Sequence, residues 1–258
     1  GLIGLKCAEG LYERVGSIEV VDLAPRILSS VLDDESAAIV MSRIADKIKF
    51  RLNVSADRFE IGKAYFSDGT TTQFDVLVIA VGVRPNTLLL ANCGGTLRRG
   101  IVVDDKQQTD IKDIYAAGDV CESYDTSSDQ NKILAILPNA YAQGRVAGIN
   151  MAGGNIAIND AIPLNALGLF GTHIVTAGSY SGNEIKSDKR GYKKLFMKDG
   201  TLKGYIIIDE IDKAGIYTAL IRNRTPLSDE DIELIRVSPS LAAFSDAYRV
   251  QILSGASR

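Results

Sequence analysis

Histidine is almost absent from these 258 residues, with His173 the single one. That excludes a multi-histidine metal site built from this chain. Cysteine is scarce too. Cys7, Cys93 and Cys121 lie far apart, with no C-x-x-C pair and no metal-ligand spacing. Neither a disulfide framework nor a zinc site is indicated, and reduced thiols in a cytoplasmic protein fit that usage best. Long apolar runs are missing as well: none approaches the roughly 18 residues that a membrane helix needs. The net charge of −3 comes from interspersed residues of both signs. With no basic stripe to follow a phosphate backbone, nucleic acid is not an expected partner.

What remains is ordinary globular material, 46% hydrophobic and 24% charged, long enough for two or three compact units. The chain opens on "GLIGLKCAEGL", a helical rhythm that runs to Arg14 and is closed by Gly16. "SIEVVDL" (17–23) reads as a short strand ending in Asp22. Asp33 or Asp34 can then cap a helix whose apolar positions Ile39, Val40, Ile44 and Ile48 recur at helical spacing. Strand-like segments follow in "KFRLNVSA" and "RFEIGKAYF". After a turn at Ser67-Asp68-Gly69-Thr70 comes "FDVLVIAVG" (74–82), apolar enough to be expected as a strand buried on both faces.

A second unit is expected from about Pro85-Asn86. It contains strand-like "GIVVDD", a strand at "DIYAAGDV" (113–120), a polar loop of Ser, Asp and Asn, and a helix from about Pro138 to Ala152. Past Gly153-Gly154 the pattern turns antiparallel. Strands are expected in "NALGLFGTHIVTAGSY" and "YKKLFMKDGTLKGYIIIDE", followed by two helices, the second opened by a capping box at Ser228 and Asp231.

Gly1-Leu2-Ile3-Gly4 matches the last four positions of G-x-G-x-x-G. In that motif glycines let the backbone approach a pyrophosphate at a helix N-terminus and let helix and strand pack closely. Asp22, about 20 residues on, stands where an acid would bond a ribose 2′-hydroxyl and repel a 2′-phosphate, favouring NADH over NADPH. Arg26 competes with that reading, since it could meet a phosphate.

"VLVIAVGVRPN" (76–86) followed by "TDIKDIYAAGDV" (109–120) resembles the paired signatures of the flavin-dependent pyridine nucleotide-disulfide oxidoreductases. "PNAYAQGRVAGINMAG" (138–153) and "KKLFMKDGTLKGYIIID" are similar to the branch holding NADH:rubredoxin reductases and the flavoprotein part of NADH-dependent nitrite reductases. The resemblance implies an α/β fold with Rossmann-like NAD- and FAD-binding units, both incomplete, then a C-terminal α+β interface domain. The implied boundaries are 1–85, 86–155 and 156–258. It also implies that a first FAD glycine motif and the first NADH strand would precede Gly1.

The same resemblance assigns FAD and NADH as cofactors. On the NADH side it implies Gly1, Gly4 and Asp22, with Gly82 and Arg84 where the nicotinamide and flavin parts meet. On the FAD side it implies Gly118 and Asp119, the latter accepting from a ribityl hydroxyl. The helix entered at Leu137-Pro138-Asn139 would aim its positive end at the flavin pyrimidine edge. No catalytic residue is assigned, and Cys121 and His173 are expected to be structural. Electrons would pass to a rubredoxin-like protein, a nitrite reductase centre or a small oxidant, and a homodimer stays open. Two other readings remain: a non-catalytic docking or oligomerisation module, and a CoA-disulfide reductase or NADH oxidase type of relative.

Overall fold

A computed structural model describes residues 1–187, 191–245 and 248–250. Contacts divide the chain into two units. The first holds residues 1–83 with the hairpin tip 167–174, and the second holds 84–166 with everything from 175 on.

In the first unit α1 (Leu2–Leu11) continues into a 3-10 turn at Tyr12–Arg14 and leads to β1 (Glu19–Asp22). Helix α2 (Asp34–Ile44) starts where its capping acid places it, since Asp33 accepts from the Ser36 amide at 2.9 Å. Val40 and Ile44 line its buried face. The following β2 (Lys49–Leu52) pairs parallel with β1, in register Glu19 with Lys49 through Asp22 with Leu52, completing a βαβ unit. An antiparallel meander, β3 (Ala56–Glu60), β4 (Lys63–Phe66) and β5 (Thr71–Gln73), packs around Val54, Ala64 and Phe66.

Residues 74–82 depart from expectation. Among the described residues no strand pairs with them, and the apolar side chains are open to solvent: Val76 is 62% exposed, Ile79 65% and Val81 90%. Apolar composition drives a strand into a core only where neighbouring strands complete its ladder, and the β1–β2 sheet supplies no third strand beside it.

The second unit begins with the short α3 (Leu88–Ala91) and β6 (Ile101–Val102). The expected strand at 113–120 is instead a loop with a single bridge at Tyr115, turning into a 3-10 turn at Gly118–Val120. Gly118 adopts φ +79, a left-handed conformation that ends pairing there. The strand starts later, as β7 (Cys121–Asp125), parallel to β6 and antiparallel to β8 (Gln130–Lys132). Most of the expected polar loop is thus a hairpin. Asp125 organises its turn by accepting from the Ser127 amide and hydroxyl and from Ser128.

Helix α4 (Leu137–Met151) then runs where proline at its first turn allows it. A five-stranded sheet follows in the order β11-β12-β13-β10-β9, from β9 (Leu164–Leu169), β10 (Thr172–Gly178), β11 (Asn183–Ser187), β12 (Tyr192–Lys198) and β13 (Thr201–Ile208), with β12 antiparallel to both β11 and β13. Helices α5 (Ala214–Arg222) and α6 (Asp229–Val237) complete the core around Leu195, Tyr205, Tyr217, Leu220 and Ile235. The capping box forms as its spacing requires, Ser228 accepting from the Asp231 amide and Asp231 from the Ser228 amide.

Candidate cofactor site

In the first unit, Gly1 and Gly4 form the first turn of α1, whose first helical bond runs from the Leu5 amide to the Gly1 carbonyl. No side chain caps this end. A Cβ on Gly1 would meet nothing within 4 Å, so the backbone there is open to a close approach. A Cβ on Gly4 would lie 3.5 Å from that of Ala80, so helix and following segment already touch at that position. Asp22, at the end of β1, comes to the same place: its Oδ2 lies 2.9 Å from the Gly1 nitrogen, and its Oδ1 accepts from the Ala24 amide at 3.0 Å. Partial burial works against the charge of its carboxylate, and the bond from the Ala24 amide supports it. Arg26 is engaged elsewhere, on Asp34 at 3.0 Å and on the Leu32 carbonyl at 3.1 Å.

At the end of the exposed segment Gly82 is left-handed, at φ +86. Arg84 is exposed and makes no hydrogen bond or ion pair among the described residues.

The second unit brings Gly118, Asp119 and the start of α4 together. The Gly118 amide donates to Gln143 Oε1 at 2.7 Å, and Gln143 Nε2 donates to Ser123 Oγ at 2.7 Å. A Cβ on Gly118 would sit 3.5 Å from Ala140, so the turn rests directly on the helix's first turns. Asp119 is left exposed beside it. The N-terminus of α4 has no side-chain cap and no acidic residue in its first turn, and Leu137 there is 86% exposed. Pro138 has no amide to donate, so the available donors are those of its neighbours. The side chain of Asn139 points inward, buried, and donates to the Ile162 carbonyl at 3.0 Å. It anchors the helix start to the chain entering β9.

Gln143 is the residue that sequence reasoning passed over. Its signal was an amide side chain at mid-helix among small and apolar residues, in "NAYAQGRVAG". Cys121 is fully buried, and burial pushes its thiol up to about 11. That suits a packing role. His173 is exposed on β10. Among the described residues there is no metal-binding cluster, and no helix is long and apolar enough to cross a membrane.

An exposed acid beside a left-handed glycine, on an uncapped helix N-terminus, fits a hydroxyl-rich, electron-accepting cofactor. An open glycine turn meeting an acid at a strand end fits a dinucleotide. The elements that carry these residues define an α/β protein. Residues 1–144 match the pyridine nucleotide-disulphide oxidoreductase family, and the chain belongs to it.

Among its relatives, the epsilon subunit of NADH-dependent phenylglyoxylate dehydrogenase from Aromatoleum evansii is 31% identical, over 88% of this chain and 58% of its own length. Nitrite reductase [NAD(P)H] from Bacillus subtilis is 28% identical, over 89% of this chain and 29% of its own. The chain thus spans less than two thirds of either relative. A FAD-dependent pyridine nucleotide-disulphide oxidoreductase from Desulfovibrio vulgaris shares the fold, with a TM-score of 0.79 and 21% identity. The match covers 92% of this chain and 67% of that one.

Proposed function

We propose that the protein carrying this chain oxidises NADH through FAD and delivers the electrons to a protein redox centre, of the rubredoxin or nitrite reductase kind. In this reading residues 1–85 serve NADH, 86–155 serve FAD, and 156–258 form an interface domain. The observation that carries it is the seating of the left-handed Gly118 turn, with its exposed Asp119, on the uncapped first turn of α4. It occurs inside the stretch that matches the family. The Aromatoleum and Bacillus relatives, whose names state NADH or NAD(P)H, support the choice of reductant.

The nicotinamide and the flavin, when bound, supply the hydride chemistry. The chain's own part is positioning and electrostatics. Asp119 would accept from a ribityl hydroxyl. The amide dipoles of α4 favour negative charge at the flavin's pyrimidine edge. Gly1 and Gly4 let backbone amides reach a pyrophosphate, and Asp22 accepts from the ribose 2′-hydroxyl while repelling a 2′-phosphate. Gly82 and Arg84 are assigned to the place where the nicotinamide and flavin parts meet.

Protein purified as its gene encodes it should carry the visible absorbance of a flavin and oxidise NADH with an artificial acceptor. A colourless protein that leaves NADH intact would remove this reading in favour of a docking module. Turnover confined to CoA disulfide or oxygen would move it to the other branch of the family.

A further inference from the structure

In the second unit an open cavity of about 600 Å³ lies between α5 and the sheet strands β9, β10 and β13. That size suits a small molecule. Its walls include Leu164, Val175 and Ala219, and two groups of opposite charge, Asp160 and Arg222, also line it. Arg222 ends α5, and its Nε is buried without a hydrogen-bond partner. Neither Arg222 nor Asp160 forms an ion pair among the described residues, with each other or with anything else. The nearby Tyr205 hydroxyl feels the charge of Arg222 but gives it no hydrogen bond: it is within 2.8 Å of Thr218 Oγ1 and 3.3 Å of the Ala214 carbonyl.

A buried donor of a charged group left unmatched is costly, and so persists where something else completes it. The negative pole at the end of α5 eases the guanidinium's charge without accepting from that Nε. An anion alone would satisfy Arg222 but face Asp160, and a cation alone would do the reverse. A molecule bearing both charges answers both groups, and its remaining body meets the aliphatic wall.

We propose that this cavity binds a small zwitterion of the α-amino-acid class, with its carboxylate on Arg222, its ammonium on Asp160 and an apolar side chain against Leu164, Val175 and Ala219. The site is separate from the flavin and NADH residues, so it stands or falls independently of the activity proposed above.

Calorimetric titration of the purified protein with L-leucine and L-phenylalanine tests it. The comparison ligands are 4-methylpentanoate, which lacks the ammonium, and 3-methylbutylamine, which lacks the carboxylate. Saturable binding of at least one amino acid is expected, weakened about tenfold or more by loss of either charge from the ligand. Arg222→Met, which keeps the packing of the stem, and Asp160→Asn, in the loop before β9, should each weaken it to a similar degree. No saturable binding by either amino acid overturns the proposal. So does equal affinity for the carboxylate or the amine alone, or unchanged affinity in a variant that circular dichroism shows to be folded. If Arg222→Met fails to fold, Asp160→Asn and the two comparison ligands still decide.

Discussion

The amide of Gly118 donates to the side chain of Gln143 across 2.7 Å, joining the left-handed turn that presents Asp119 to the second turn of α4. Gln143 is buried, and its other end is held by Ser123. Gln143→Leu therefore strands two partners at once: a glycine amide and a serine hydroxyl. Each unmet buried group costs about 1–3 kcal/mol. Denaturant unfolding should show a loss of about 2–6 kcal/mol for the two together, and flavin content should fall with it, because the turn is no longer pinned. Wild-type stability in the variant would mean that water replaces the amide at no cost.

Asp119→Ala isolates the contact from the scaffold. The side chain is exposed and removes no core packing, so stability should stay within about 0.5 kcal/mol of wild type. Flavin retained through gel filtration should nevertheless drop. Unchanged flavin content would count against Asp119 as the ribityl acceptor.

At the other nucleotide site, Asp22→Ala should reduce the preference for NADH over NADPH. A hydrogen bond to a charged group is worth about 1.5–3 kcal/mol, so the ratio of kcat/KM values should fall roughly ten- to a hundredfold. Arg26 will not offset this by seizing a 2′-phosphate, since Asp34 and the Leu32 carbonyl already hold it. A ratio that does not move would make Asp22 a strand-end carboxylate and nothing more.

Much of this was legible because it depends on local chemistry. The capping acid Asp33, the box at Ser228 and Asp231, and the proline-started α4 are each written in a few adjacent residues, and each formed in place. Residues 74–82 were not, because whether Val76 or Ile79 is buried depends on strands far away or on another part of the sheet. At 113–120 the small residues Ala116 and Ala117 read as strand. Only the backbone reversal at Gly118 decides that pairing starts at Cys121. The candidate glycines and acids were visible through their motifs. Gln143 was not, since its value lies in which amide it meets 25 residues upstream.

Asp129 is one of several carboxylates, with Asp68 and Asp110, that make stability depend on pH. The Tyr124 hydroxyl donates to it at 2.6 Å, ahead of Lys203 at 3.5 Å and Arg224 at 2.8 Å, and together they hold its carboxyl below the ordinary range despite slight burial. A folded-state pKa below the unfolded one means the stabilisation is fully present above the unfolded value, near 3.8, and is lost as pH falls through the lower folded value. The carboxylate is half exposed, so solvent screening limits its worth to about 1 kcal/mol or less. Asp129→Asn tolerates the positive φ of 56 and so changes charge without straining the turn. It should be slightly less stable than wild type at pH 7, by an amount that shrinks in high salt and vanishes under strong acid. A deficit that persists in acid would assign the effect to the hydrogen-bond geometry instead.

Gly204 sets how closely β13 and the end of β10 can approach. A Cβ there would fall 2.3 Å from the Ser179 carbonyl oxygen and 2.9 Å from that of Ala177, and both obstacles are backbone, which cannot rotate away. Relief requires the strands to part, in a sheet whose order places β13 between β10 and β12. Gly204→Ala should therefore destabilise by about 1–3 kcal/mol, the usual cost of forcing extra volume into packed structure. Gly10→Ala is the contrasting case. That glycine lies within α1 with nothing within 4 Å of the added carbon, so the substitution should gain up to about 1 kcal/mol by favouring the helix. Thermal unfolding of the two variants should move in opposite directions. A Gly204→Ala protein as stable as wild type would show that the sheet yields at this crossing without breaking its ladder.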